Sequence, residues 1–347
     1  MATARRVIAT APRVAEIQSY EIPTLKANEA LVRVHYAAFK HGTEQTMFRA
    51  GNESESYNDE WKMFLPNVSE GFEPFPLGNM WAGEIIELGS HVLDYKIGGV
   101  VCSYGSVQEY QVVNAVDNYR LRKLPNGASW KNALCYDPAQ YALGGVRDAN
   151  VRPGDAVAVF GLGAIGQIAA QICVKLGASF VAVVDPIQHR YEVAMKNGAH
   201  AAFDTTTQDV GKLLKEATNK RGVDCVIETS GAPQALQAGL RGLAYGGTVA
   251  FLAFGKEIHG GLNFGREAHF NYGKMMFSRA GSEPCPDYPR WNRRRIEETC
   301  WEMLMNGYLN CEDIIFPVVP FERSDEAFMK YVDKEPHLGI KLGVEFI

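Results

Sequence analysis

A chain of 347 residues exceeds what one ordinary core holds, so two domains are expected. Hydrophobic residues make up 46% and charged residues 22%, the balance of a folded globular enzyme and not of a disordered chain. A formal charge of −5 speaks against nucleic acid or an anionic membrane as partner, because either would ask for a basic face.

From residue 1 to about 145 the pattern is short strands with turn signals. The stretch from Val7 reads as a first strand and not as a targeting peptide, since no apolar segment follows Arg5 and Arg6. Ala30 to Ala37 alternates in strand fashion, and Ala82 to Leu88 and Gln108 to Val113 do likewise. Asn52 to Pro76 is rich in acidic and aromatic residues without a period and reads as a long surface loop, a binding loop or a plain insertion.

The middle of the chain alternates apolar runs with helical patterns. Ala156 to Phe160, Phe180 to Val184, Ala201 to Phe203, Cys225 to Ile227 and Thr248 to Phe254 read as strands. Ala164 to Leu176, Arg190 to Asn197, Gln208 to Asn219 and Gln234 to Leu243 read as helices. Such alternation means βαβ units around a parallel sheet. Further on, Arg293, Arg294 and Arg295 are followed by Glu297 and Glu298, so this one dense basic run reads as a solvated helix face. A helix over Arg295 to Met305 leads into short strands ending at Phe346, which are expected to return to the first domain. The expected division is a β-rich domain of residues 1–146 with 286–347, and a dinucleotide-binding domain of residues 147–285.

The cysteines, Cys102, Cys135, Cys173, Cys225, Cys285, Cys300 and Cys311, form no C-x-x-C pair and no zinc-ribbon spacing. Reduced thiols and a cytoplasmic location are the expectation. No run of eighteen apolar residues exists, so no membrane span is expected.

The strand Ala156 to Phe160 runs into Gly161-Leu162-Gly163-Ala164-Ile165-Gly166, a G-x-G-x-x-G segment that opens a helix. In this setting each glycine has a mechanical job. Gly161 makes the tight turn, Gly163 lets the backbone approach a pyrophosphate, and Gly166 lets helix and strand pack closely. Asp185, followed by Pro186, ends the next strand, where a carboxylate accepts hydrogen bonds from ribose hydroxyls and repels the extra phosphate of NADP. NAD is therefore the expected cofactor. Arg190 belongs to the same neighbourhood but lies a full helical turn past Asp185. Two later strand ends, Thr229-Ser230-Gly231 and Ala253-Phe254-Gly255, are small enough to admit a nicotinamide; a tight turn is the other reading of each.

The order of parts, with GLGAIG, Asp185 and the ending Leu338-Gly339-Ile340-Lys341-Leu342-Gly343-Val344, resembles the medium-chain dehydrogenase/reductase superfamily, which includes zinc alcohol and sorbitol dehydrogenases. The resemblance implies an α/β fold: a Rossmann doubly wound parallel sheet with a β-rich, GroES-like catalytic domain. It also implies a homodimer or homotetramer acting on a small-molecule substrate. Where zinc members carry C-G-T-D, this chain reads His41-Gly42-Thr43-Glu44; where they carry G-H-E, it reads Gly78-Asn79-Met80; a third ligand position falls near Asp137. Three or more ligands are needed for tetrahedral zinc. His41 and Asp137 offer two, so no metal is expected. Gly42-Thr43-Glu44 with Phe48 and Gly51 resembles a zinc-lacking branch that acts on secondary hydroxyls.

Without zinc, a general base must take the hydroxyl proton while hydride leaves the carbon. His41 is the first candidate because imidazole titrates near neutrality. Lys40 and Asp137 follow, with Thr43 as a relay and Glu44 as an orienting group. The leading expectation is a zinc-independent, NAD-dependent dehydrogenase of a sugar, polyol or related metabolite. The alternatives are an enone or quinone reductase using NAD(P)H and a non-catalytic NAD-binding protein.

Overall fold

The computed structural model describes residues 3–50, 55–66, 71–254, 258–279, 285 and 287–346. The chain forms two compact units, Met1–Trp130 with Ile315–Ile347, and Lys131–Ile314.

The first unit is built on a seven-stranded sheet. Its path runs Arg122–Lys123, Val100–Tyr104, Met80–Leu88, Glu29–Ala38, Lys341–Glu345 and Ile315–Pro320, and Tyr110–Asn114 also pairs with Glu29–Ala38. In Glu29–Ala38, Ala30, Val32 and Val34 are buried while Arg33 is exposed, the two-residue period of a half-buried strand. These side chains join Val7, Leu77, Trp81, Ile85, Leu342 and Val344 in one core. The last two show that the C-terminal segment completes this unit's sheet.

The segment after Ala38 folds as the helix Gly42–Ala50. Its buried face carries Glu44 and Phe48, one turn apart. The Phe48 and Phe39 rings both meet Phe328, each at 4.9 Å between centroids, which clamps the helix to the core. Burying each such ring is worth about 1.5–3 kcal/mol. The stretch 52–76 departs from the expected irregular loop. Glu55–Asn58 and Met63–Pro66 pair as a hairpin with Tyr57 edge-on to Phe64, and Phe75–Pro76 pairs with Thr3–Ala11. Trp61 at the hairpin tip is 69% exposed. Residues 51–54 and 67–70, Gly51 among them, lie outside the described residues.

The second unit holds a six-stranded parallel sheet in the order Ala201–Phe203, Phe180–Val184, Ala156–Phe160, Val223–Glu228, Leu243–Phe251, Lys274–Phe277. Numbered along the chain this is 3-2-1-4-5-6, the doubly wound dinucleotide-binding order. Every residue of Ala156–Phe160 is buried, as a central strand covered on both faces requires. The outer strand Lys274–Phe277 was not legible in the sequence: only four residues long, it pairs on one side and leaves Phe277 exposed.

The compact units divide at 130/131 and 314/315, whereas the sequence suggested domains that divide at 146/147 and 285/286. The helix Tyr136–Asp148, ten of whose residues are buried, packs against Ala164–Lys175 and Arg293–Met305. Both flanking helices thus cover the parallel sheet's unit and belong to it.

Candidate active site

In the β-rich unit three neighbouring strands stop side by side. Ala38 is in register with Met80 on one side and with Gly343 on the other. Residues just beyond those positions therefore share one end of the sheet: Lys40 and His41, Gly78 and Asn79, and Lys341. The Asn79 amide donates to Ala38 O, and the Phe39 amide to Leu342 O. Gly78 has φ +112°, and a Cβ there would lie 2.5 Å from the Val107 nitrogen, so glycine alone makes this approach.

Glu44 ties the cluster together. One carboxylate oxygen accepts the Lys40 amide at 2.6 Å and the other accepts the Gly78 amide. Burial pushes this carboxyl up to about 7, against the opposing pull of those two hydrogen bonds and of the Lys341 and Lys40 charges. His41 Nε2 accepts the Leu342 amide at 2.9 Å, which assigns the proton of the neutral ring to Nδ1. A nitrogen committed to that amide cannot also take a proton from substrate. His41 thereby ties the turn to the last strand. Lys40 and Thr43 are half-buried on the same turn. Asp137 belongs to the other unit, buried on the helix Tyr136–Asp148, with Gln140 Nε2 donating to it at a long 3.4 Å.

Lys341 was not singled out by its sequence, although a lone charge between Ile340 and Leu342 in an apolar strand is a signal. It is 4% exposed, and its ammonium donates to Phe39 O at 2.6 Å and to Asn79 Oδ1 at 3.1 Å.

The positions matching zinc ligands do not make a zinc donor set. The His41 Nε2 lone pair serves an amide, Asn79 Oδ1 faces an ammonium, Met80 is a buried thioether, and Lys341 would repel a dication at this spot. Among the described residues no three His, Cys, Asp or Glu side chains cluster as metal ligands.

In the second unit the Gly-rich turn has the mechanics of a dinucleotide cradle. Gly161 has φ +83°, and a Cβ on it would press on Thr229 and Ser230 at 2.9 Å. A Cβ on Gly166 would meet Gly161 O at 1.8 Å. One on Gly163 would meet nothing within 4 Å, so open space lies where a pyrophosphate would approach. Gly163 caps the helix Ala164–Lys175 without any side-chain hydrogen bond, so no capping side chain competes for the first-turn amides, those of Ala164 and Ile165 included. Leu162 is buried and its amide donates to Asp185 Oδ2 at 2.7 Å, while Asp185 Oδ1 accepts the Ile187 amide. Arg190, a helical turn further on, comes back to within 3.9 Å of Asp185. Pro186 is exposed.

The Thr229–Gly231 turn is organised by a residue the sequence reading missed. Glu228, buried at the end of its strand, accepts the Ser230 and Gly231 amides and the Ser230 hydroxyl; burial pushes its carboxyl up. Thr229 Oγ1 donates to Gly161 O at 2.8 Å, linking the two turns. Ala253 is half-buried and Phe254 exposed; Gly255 lies outside the described residues.

A doubly wound sheet with this cradle, joined in one chain to a β-rich unit, defines a pyridine-nucleotide dehydrogenase. Residues 164–290 match the model of the zinc-binding dehydrogenase family. The chain is 56% identical over 349 residues to D-guloside 3-dehydrogenase of Escherichia coli (strain K12), covering 99% of this chain and 100% of that one. Solved structures agree on the fold. Galactitol-1-phosphate dehydrogenase from Escherichia coli superposes with a TM-score of 0.76 at 19% identity, covering 98% of this chain and 99% of that one. Alcohol dehydrogenase TADH from Thermus sp. ATN1 gives 0.75 at 21%, covering 99% and 100%. The chain belongs to the zinc-binding dehydrogenase family of the medium-chain dehydrogenase/reductase superfamily, with its Rossmann and GroES-like fold. Among the described residues no helix is long and apolar enough to cross a membrane.

The raised carboxyl of Glu44 has a consequence for stability. Between the ordinary value of 4.5 and about 7 the unfolded chain ionises Glu44 while the folded chain keeps it protonated. Stability from this group is thus full below 4.5 and is lost as pH rises to about 7, by up to about 3 kcal/mol. A Glu44→Gln variant lacks this titration. Its Tm relative to wild type should climb between pH 5 and pH 8, and a constant difference in calorimetry across that range would show that Glu44 is ionised throughout.

Proposed function

We propose that the protein is an NAD-dependent, zinc-independent dehydrogenase that oxidises a secondary hydroxyl of a sugar, at position 3 of a glycoside, or reduces the corresponding ketone. The observation that carries this reading is full-length 56% identity to D-guloside 3-dehydrogenase. The lysine-held Asn79, in place of a zinc-ligand histidine, supports zinc independence. The exposed aromatics of the 55–66 hairpin suit the flat C–H face of a sugar ring.

When bound, the cofactor accepts hydride at its nicotinamide. The hydroxyl proton leaves to the chain's own residues. Of the half-buried groups on the turn, Thr43 can relay a proton but not hold one, whereas Lys40 in its neutral form can accept it on Nζ. Asp185 favours NAD because its buried carboxylate would repel a 2′-phosphate. The free thiols suit the reducing cytoplasm. Two copies are proposed to pair along Lys274–Phe277, the outer strand, beside exposed Phe270, Tyr272 and Phe277. Light scattering that finds only monomers at micromolar concentration would remove that pairing.

The direct assay follows NADH absorbance with NAD and a chelator across glycosides, polyols and simple secondary alcohols. Turnover on glycosides should survive the chelator, and Lys40→Met should lose most of it. Activity lost with the chelator and restored by zinc would refute zinc independence. Asp185→Asn keeps an acceptor for a backbone amide but removes the charge. The ratio of kcat/KM for NAD to that for NADP should fall about tenfold or more, and an unchanged ratio would mean that Asp185 does not set cofactor choice.

A further inference from the structure

The Asn79 side chain has one end fixed and the other unsatisfied. Its backbone is held on both sides, the amide donating to Ala38 O at 3.0 Å and the carbonyl accepting from Gly105 at 3.2 Å. Its side-chain oxygen accepts from Lys341 Nζ at 3.1 Å. An ammonium has only donors, so the amide cannot be flipped: oxygen faces Lys341 and the NH2 group must face away. That Nδ2 is buried and has no hydrogen-bond partner among the described residues. A buried donor left unmade costs about 1–3 kcal/mol, and native structures retain few of them. A hydrophobic residue would avoid this cost. The Lys341–Asn79 pair instead maintains a donor on the side of the amide away from the ammonium.

We propose that Asn79 Nδ2 is the hydrogen-bond donor to the reacting oxygen of the substrate, with Lys341 as the positioning residue that fixes and polarises it. The proposal rests on the dehydrogenase reading above. In oxidation the C–H bond breaks and its electron pair leaves as hydride to NAD. The O–H bond breaks, its proton passes to the lone pair of Lys40 Nζ in its neutral form, which becomes an ammonium, and the C=O bond forms. Negative charge builds on the oxygen as the proton departs, and in the reverse direction it builds on the ketone oxygen as hydride arrives. A preorganised N–H donor stabilises that charge without reorganising. The nearby positive charge on Lys341, drawing on the amide oxygen, strengthens the N–H as a donor. Amide and ammonium together thus take over the polarising task that a metal performs in zinc-binding dehydrogenases. The ligand is chemically specific: a neutral hydroxyl or carbonyl oxygen on carbon, and not an ammonium group, which would meet donors only.

The test is Asn79→Asp, with Asn79→Ala as the second variant. Aspartate keeps an oxygen on Lys341 and deletes the donor. In the NAD assay kcat should fall about 10²–10³-fold with KM for NAD unchanged. The deuterium isotope effect on kcat from substrate labelled at the reacting carbon should rise as hydride transfer becomes limiting. Tm should hold or increase, since an unsatisfied amide is exchanged for an ion pair. A merely structural asparagine would lose Tm together with activity, and that outcome overturns the proposal. So does a kcat within twofold of wild type in either variant, the result expected if a water satisfies Nδ2. Calorimetric titration of the NADH complex with a 3-keto glycoside adds a readout without turnover: wild type should bind, and both variants should bind at least about tenfold more weakly. If wild type neither turns over nor binds the ketone, the dehydrogenase reading fails and this proposal falls with it. If wild type does both and the variants match it, only the role of Asn79 fails.

Discussion

The buried ammonium of Lys341 is the constraint around which the end of the β-rich sheet is arranged. A charge taken out of water must be matched by oxygens. Here Phe39 O and Asn79 Oδ1 do so. Each of these oxygens is itself pinned by the strands. Phe39 follows Ala38, which is in register with strands on both sides; Asn79 precedes Met80; Lys341 opens the last strand. The sheet therefore cannot end differently without stranding a charge. Burial pushes the nearby Glu44 carboxyl up, and the Gly78 and Lys40 amides and then the Lys341 charge draw it back only in part.

Charge is handled differently in the cofactor-binding unit. There Asp185 and Glu228 are buried acceptors that satisfy backbone amides of the turns next to them: Leu162 and Ile187 for the first, Ser230 and Gly231 for the second. Both turns are thereby stiffened before any ligand arrives, which lowers the ordering cost of binding. On Asp185 the oxygens that hold the Gly-rich loop belong to the same carboxylate that the proposed function gives to the ribose. Arg190 lies beside that carboxylate at 3.9 Å and offsets part of its charge.

What was legible in the sequence follows from how local each signal is. The parallel sheet and its glycines were readable because each glycine answers a steric demand within a few residues, as Gly166 against Gly161 O shows. The return of the tail was readable from the resemblance of its ending. The helix Gly42–Ala50 was not, because its residues lack a strong apolar period and it is fastened by Phe48 on Phe328, 280 positions away by number. The helix Tyr136–Asp148 was passed over as part of a strand-rich region because Ala, Gly and Leu carry little directional pattern, and it falls within the compact unit Lys131–Ile314. At the site, the absence of a cysteine and a histidine from the ligand segments was plain. The partner of Asn79 was hidden, since Lys341 lies some 260 residues beyond it and only the fold brings them to 3.1 Å. His41 shows the converse. Its residue type suggested a base, and only the Leu342 amide reveals that its acceptor nitrogen is committed.

Exchanging a metal for a fixed organic cation alters what the rest of such a site must provide. Zinc both polarises an oxygen and lowers the pKa of the hydroxyl it binds, so acid–base chemistry and charge stabilisation come from one centre. An ammonium acting through an amide can only stabilise charge; it does not bond to the oxygen. A separate proton acceptor would then be required, which is the task the proposed mechanism gives to Lys40 on the adjoining turn. Under that proposal the cation is covalently part of the chain, so it would need no loading and no deprotonated ligand set, and a chelator could not remove it. Its cost would be borne in folding, through the buried Lys341 and the Asn79 amide left without a partner among the described residues.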